Sequence, residues 1–226
     1  MIASYINTLK EMYTRPRNVV DSYVHTDQSD YQAPLIFMLI GAVIVVVLTS
    51  ILVNFNVDVT GAVPEMENEQ LQQLSEQMFL TDVLMSTRFL PFILILFLVP
   101  MLSVAGMFFL RSYTEGFFSL LILNSYLVGA AMIPLLLLIP VWPFSGMSLA
   151  DPALNTNIPG VIVAAAGLWV YKNYFRVSDF LGWIRMLSAF ITGYIMFILL
   201  KGLASSVLGY MIFAIRRISE MSGNGG

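Results

Sequence analysis

The stretch PLIFMLIGAVIVVVLTSILVN, residues 34 to 54, contains no charged side chain. At about 1.5 Å of rise per helical residue, about twenty residues cross a hydrocarbon layer of roughly 30 Å. This segment is therefore read as a membrane span. Three further charge-free runs extend from Phe89 to Leu110, Gly116 to Ala150 and Pro152 to Tyr171, and a fifth apolar stretch, Met186 to Ile215, is interrupted only by Lys201. The chain is read as an all-α, polytopic integral membrane protein with about five transmembrane helices, at about 34–54, 89–110, 117–142, 158–171 and 187–214. Composition agrees: 58% of residues are hydrophobic and 11% are charged, where a soluble domain carries about a quarter charged residues.

Working outward, residues 1–33 form a polar approach to the first span. Ile2, Tyr5, Ile6, Leu9, Met12 and Tyr13 fall at helical spacing opposite Asn7, Lys10 and Glu11, which predicts an amphipathic interfacial helix with Ile2, Tyr5 and Leu9 on its apolar stripe. Arg15-Pro16-Arg17 interrupts it, because proline lacks an amide donor and disfavours helix at the residue before it. Val19, Val20, Tyr23 and Val24 mark a second amphipathic piece. Such elements either cover the cytoplasmic ends of the spans or bind lipid or a partner. The first apolar run follows an acidic, polar segment and is longer than a secretory core, so 34–54 is expected to be retained and to act as the insertion signal.

The segment 55–88 is acidic, carrying Asp58, Glu65, Glu67, Glu69, Glu76 and Asp82. Pro64 suits the first turn of a helix running through Leu71, Leu74, Met78 and Phe79, expected to lie on the far face of the membrane. The spacing that a calcium loop needs is absent. Arg111 and Glu115 stand four apart between spans two and three and pair if the helix continues. Pro140-Val141-Trp142-Pro143 is expected to end span three, and Trp169, Tyr171 and Tyr174 form an aromatic belt at the exit of span four. With the N-terminus in the cytoplasm, Lys10, Arg15, Arg17, Arg111, Lys172, Arg176 and Arg185 collect inside, against Arg88, Arg216 and Arg217 outside. The pair Arg216-Arg217 dissents from the positive-inside rule, and a break at Lys201-Gly202 is one way to return it. Residues 34–217 form one membrane domain, and 218–226 read as a flexible tail.

Few groups are equipped for chemistry. The net charge of -3 and the absence of a basic cluster give no footprint for nucleic acid. With no cysteine and the single His25, no metal site and no cofactor is expected. Nucleophile-elbow, zinc-protease and phosphate-loop patterns are missing, so the chain is read as not an enzyme. An ionisable group inside a span costs roughly 3 kcal/mol on insertion scales, which singles out Lys201, either as a proton or anion relay or as a snorkelling or helix-breaking residue. Gly202, Ser205, Ser206 and Gly209 offer a small-residue face for close packing. Asn124, Ser125 and Tyr126 form a second polar patch that needs partners in lipid, with Thr192 and Tyr194 as the expected ones.

Leu9-Lys10 before Arg15-Pro16 and Tyr23, Pro100 before the Arg111-to-Glu115 hinge and the Phe117-to-Tyr126 helix, and Tyr174-Phe175-Arg176 before the final span together resemble a bacterial family of uncharacterised five-span membrane proteins, loosely similar to the Yip-type membrane-trafficking fold. The resemblance implies a helical fold in the bacterial inner membrane with a cytoplasmic N-terminus. Many members carry an N-terminal zinc ribbon and a histidine after the hinge glutamate. This chain has no cysteine and Gly116 follows Glu115, so no metal-dependent role is carried over.

Two functions fit: a non-enzymatic membrane protein that organises, assembles or stabilises a complex or membrane region, its partners being the lipid bilayer and a membrane protein or a second copy, or a small transporter or ion-coupled permease using Lys201, Asn124 and Tyr126. On the first, Lys201→Met folds and supports function, while changes along the Ile2/Tyr5/Leu9 stripe release a partner or lipid. On the second, Lys201→Met abolishes solute flux at unchanged expression.

Overall fold

A computed structural model of the chain describes residues 2–25, 31–53, 63–138, 151 and 156–223. Every regular element among them is helical. In chain order these are α1 (Ile2–Thr14), α2 (Pro16–His25), α3 (Pro34–Leu52), α4 (Glu69–Ser86), α5 (Leu90–Phe109), α6 (Phe117–Leu136), α7 (Ile158–Phe175) and α8 (Phe180–Gly223). Of these, α3, α5, α6 and α8 are long and apolar enough to cross a membrane. Helix α7 has 18 residues, a rise of about 27 Å, and Lys172 and Asn173 in its last turns. The proline and tryptophan stretch 140–143 falls outside the described residues.

Helix α6 is the hub. Its span is 72% buried, against 22% for α8. Without a hydrophobic drive between helices in lipid, close approach depends on small residues that let side chain or backbone contact backbone. A Cβ placed on Gly129 of α6 meets the Phe37 ring of α3 at 2.5 Å, one on Gly167 of α7 collides with the Phe190 ring of α8, and one on Gly193 of α8 meets Leu102 of α5 at 2.7 Å. Helix α5 contains a π-helical turn, Leu94–Leu98. Its cause is Pro100, which has no amide to give Leu96 and whose ring crowds that carbonyl; Val99 N–H bonds Leu94 O, five residues back, instead.

The N-terminal stripe is used inside the protein. Tyr5, Thr8 and Met12 are buried, Leu9 packs against the core, and Ile6 is exposed. Tyr5 stacks at 4.8 Å on Phe37, Tyr13 OH donates to Ala130 O, and Trp169 Nε1 donates to Tyr13 O. The Ile2/Tyr5/Leu9 seam is thus a packing surface at Tyr5, because the ring of Phe37 covers it.

Several boundaries differ from expectation. Helix α4 starts at Glu69 and not at Pro64, because the Asn68 side chain accepts from the amides of Gln70 and Leu71 and caps it. It also packs along α8. The hinge after α5 is not helical: Tyr113 N–H bonds Leu110 O in a turn, Gly116 takes φ 153°, a region open essentially to glycine, and the Arg111 and Glu115 pair does not form. Glu115 instead lies 3.6 Å from His25 of α2. Helix α7 runs on to Phe175 and stops where Arg176 turns left-handed at φ 53°. Helix α8 begins at Phe180, before Arg185, with Asp179 accepting from Gly182 N–H, and continues for 44 residues without a break at Lys201-Gly202. It also absorbs residues 218–223 of the expected tail.

Along α8 the glycines are not equivalent. A Cβ on Gly209 meets Met78 Cα at 2.7 Å, while one on Gly202 meets nothing within 4 Å. Gly209→Ala is expected to destabilise by about 1–3 kcal/mol by forcing α4 off α8, and Gly202→Ala to be neutral or stabilising by up to about 1 kcal/mol through helix propensity. Unfolding in mixed detergent micelles orders the two; equal effects overturn the packing account.

Candidate functional site

Helices α4 and α8 meet along one seam in antiparallel order. Met78, Asp82 and Ser86 stand four apart on α4, and Lys201, Ser205 and Gly209 stand four apart on α8, so each trio shares one helix face. Met78 opposes Gly209, and Lys201 opposes the other two: its Nζ donates to Asp82 Oδ2 at 3.2 Å and to Ser86 Oγ at 2.6 Å. The ammonium is held in the protein rather than snorkelling out of it. Its side chain is 7% exposed against 37% for Asp82, so the carboxylate links the buried cation to the surface.

Two spaces flank the pair. An open groove of about 500 Å3 is bordered by Ser75, Asp82, Lys201, Ser205 and Ser206. Ser205 and Ser206 Oγ both donate to Gly202 O, which commits their hydrogens and leaves only acceptor capacity. On the bundle side, a void of about 10 Å3 is bordered by Ser86, Gly160, Tyr194 and Lys201, room for at most about one water.

The other polar patch is a separate device. Asn124 is fully buried. Its Nδ2 donates to Ser103 Oγ at 3.0 Å and its Oδ1 accepts from Tyr171 OH at 2.6 Å, tying α6 to α5 and α7. Ser125 Oγ donates to Leu121 O in its own helix, and Tyr126 OH donates to Gln32 O, whose residue in turn donates its N–H to Thr8 Oγ1. Tyr194 is not a partner of this patch, since its OH donates to Thr156 O. Tyr171 packs on Phe190, and Lys201 lies eleven residues further along α8, about 16 Å. Asn124, Ser125 and Tyr126 therefore do not form one site with Lys201.

Asp82, Ser86, Ser103 and Tyr171 are the partners that sequence reading missed. Asp82 had a signal: it sits between Phe79-Leu80 and Val83-Leu84-Met85, an acid within an apolar flank, at the spacing that joins Met78 and Ser86.

Breaking the pair should be asymmetric. Asp82→Asn leaves a buried ammonium unpaired and is expected to cost about 2–3 kcal/mol, below a fully buried pair because Asp82 touches solvent; Lys201→Met leaves a carboxylate that hydrates and costs about 1 kcal/mol. Lys201→Met with Asp82→Asn should recover most of the loss, read as a double-mutant cycle of unfolding. Equal single losses that simply add would remove the ion pair as a clasp. No family model, curated protein or solved structure matches the chain.

Proposed function

We propose that the chain is a non-enzymatic, five-span integral membrane protein, with α7 as the remaining span, that organises or stabilises a membrane complex through its α4/α8 arm. The observation that carries this is the length of uncovered apolar surface on α8. Exposed side chains run from Phe180 to Ile218, a rise of about 57 Å, or about 44 Å at a steep 40° tilt. A hydrocarbon layer of roughly 30 Å covers only part of that. Leu203, Val207, Met211 and Ile215 are among the uncovered residues, and exposed apolar surface in water marks an interaction site.

The satisfied polar groups favour the same reading. Lys201 and Asn124 each spend their hydrogen bonds between helices, as interhelical fasteners do. With the N-terminus and α2 in the cytoplasm, Arg216 and Arg217 fall on the opposite side, about 46 Å along α8 from Arg185. There they border a groove of about 360 Å3 with Glu76 and Glu220, which offers the dissenting arginines countercharge. One observation favours transport instead: Lys201 stands between the open groove and the inner void.

A photo-crosslinking residue placed at Val207 or Ile215 in native membranes is expected to capture protein, while one at Val43 on the exposed face of α3 captures lipid. Lipid or no adduct from both α8 positions overturns the assembly reading. Solute flux in proteoliposomes that vanishes in a well-folded Lys201→Met transfers the assignment to transport.

A further inference from the structure

Where α5, α7 and α8 meet, the surface carries a cleft of about 380 Å3. Leu98 and Leu102 of α5 form its floor. Ala164 of α7 leaves space that a larger side chain would fill, while the place of a side chain at Gly160 is taken by the ring and hydroxyl of Tyr194. No charged residue borders it, and its polar lining sits at one end, at Asn157 and at Tyr194, whose hydroxyl donates to Thr156 O. The cleft opens sideways, because its rim residues Val161 and Ile191 are 68% and 51% exposed.

We propose that this cleft holds one acyl chain of a bilayer phospholipid, with the carbonyl end toward the Asn157 amide. Water is a poor occupant, since a stable buried water needs two to four polar partners, and the walls below Tyr194 supply none. Left empty, the walls lose their dispersion contacts. A methylene chain is thin, flexible and apolar, and the exposed rim faces the side from which lipid arrives. The chain also has a structural consequence. Gly160, Val163 and Tyr194 border both the cleft and the void beside Lys201, so a bound chain props α7 against α8 directly below the ion pair.

The test is native mass spectrometry of the full-length protein released from detergent, with Ala164→Trp and Ile191→Trp as plugs on opposite walls. Wild type is expected to retain one phospholipid at collision energies that strip all others, and each plugged variant to retain at least tenfold less. Delipidated wild type should regain Tm on adding phosphatidylglycerol, saturating at one equivalent, as ligand linkage requires. This titration decides the matter if the tryptophan variants do not fold. The proposal is overturned by wild type that keeps no lipid, by plugged variants that keep it equally, by a retained mass that is an isoprenoid or another hydrophobe, or by a Tm that does not respond. None of these outcomes depends on whether the α4/α8 arm takes a partner.

Discussion

Hydrocarbon neither donates nor accepts hydrogen bonds, so a polar side chain among these helices has to be satisfied by another part of the chain. Lys201 shows the consequence most sharply. An ammonium on an apolar helix needs a counter-ion, and the nearest supply is α4, which is polar enough to provide one and apolar enough to pack. The demand for a partner at Lys201 places α4 along α8 in antiparallel order. That in turn sets where α5 begins, because only the turn Thr87 to Phe89 separates it from α4.

The same demand organises the centre. Asn124 uses both ends of its amide, drawing Ser103 of α5 and Tyr171 of α7 onto α6. Tyr126 and Thr8 meet at Gln32 and bring α1 to the start of α3. These fasteners give direction, while glycines give proximity: Gly129, Gly167 and Gly193 let rings and backbone of neighbouring helices approach where a Cβ would collide. Directional bonds at points of close approach rigidify a bundle in a way that uniform apolar contact does not.

What remains outside this economy of contacts is the surface. Helix α8 is longer than a hydrocarbon layer is thick and carries exposed apolar side chains from Phe180 to Ile218, and the cleft beside it lacks side chains to fill it. On the proposals made above, the first takes a protein and the second a lipid chain. Both lie against α8, whose two halves are stabilised by different neighbours: α5 and α7 below Lys201, α4 above it.

The membrane class and the rough positions of the apolar helices were legible because burial in lipid imposes a composition, and composition is local. The starts and stops were less so: the Asn68 cap overrode Pro64, Arg176 ended α7 four residues late, and α8 ran through Lys201-Gly202 because α4 supplied the carboxylate that made a break unnecessary. Lys201 and Asn124 stood out as groups in need of partners, but which partners was not legible. Asp82 lies 119 residues from Lys201 and Tyr171 lies 47 from Asn124, and no local pattern encodes contacts over such separations. The sequence by itself determined that this chain is helical and that several of its helices are long and apolar enough to cross a bilayer, since hydropathy and helix length are summed along the chain. Only the tertiary structure decided that Lys201 is a clasp between α4 and α8 and that the Asn124 patch is a separate knot, since hydrogen bonds depend on distance in space.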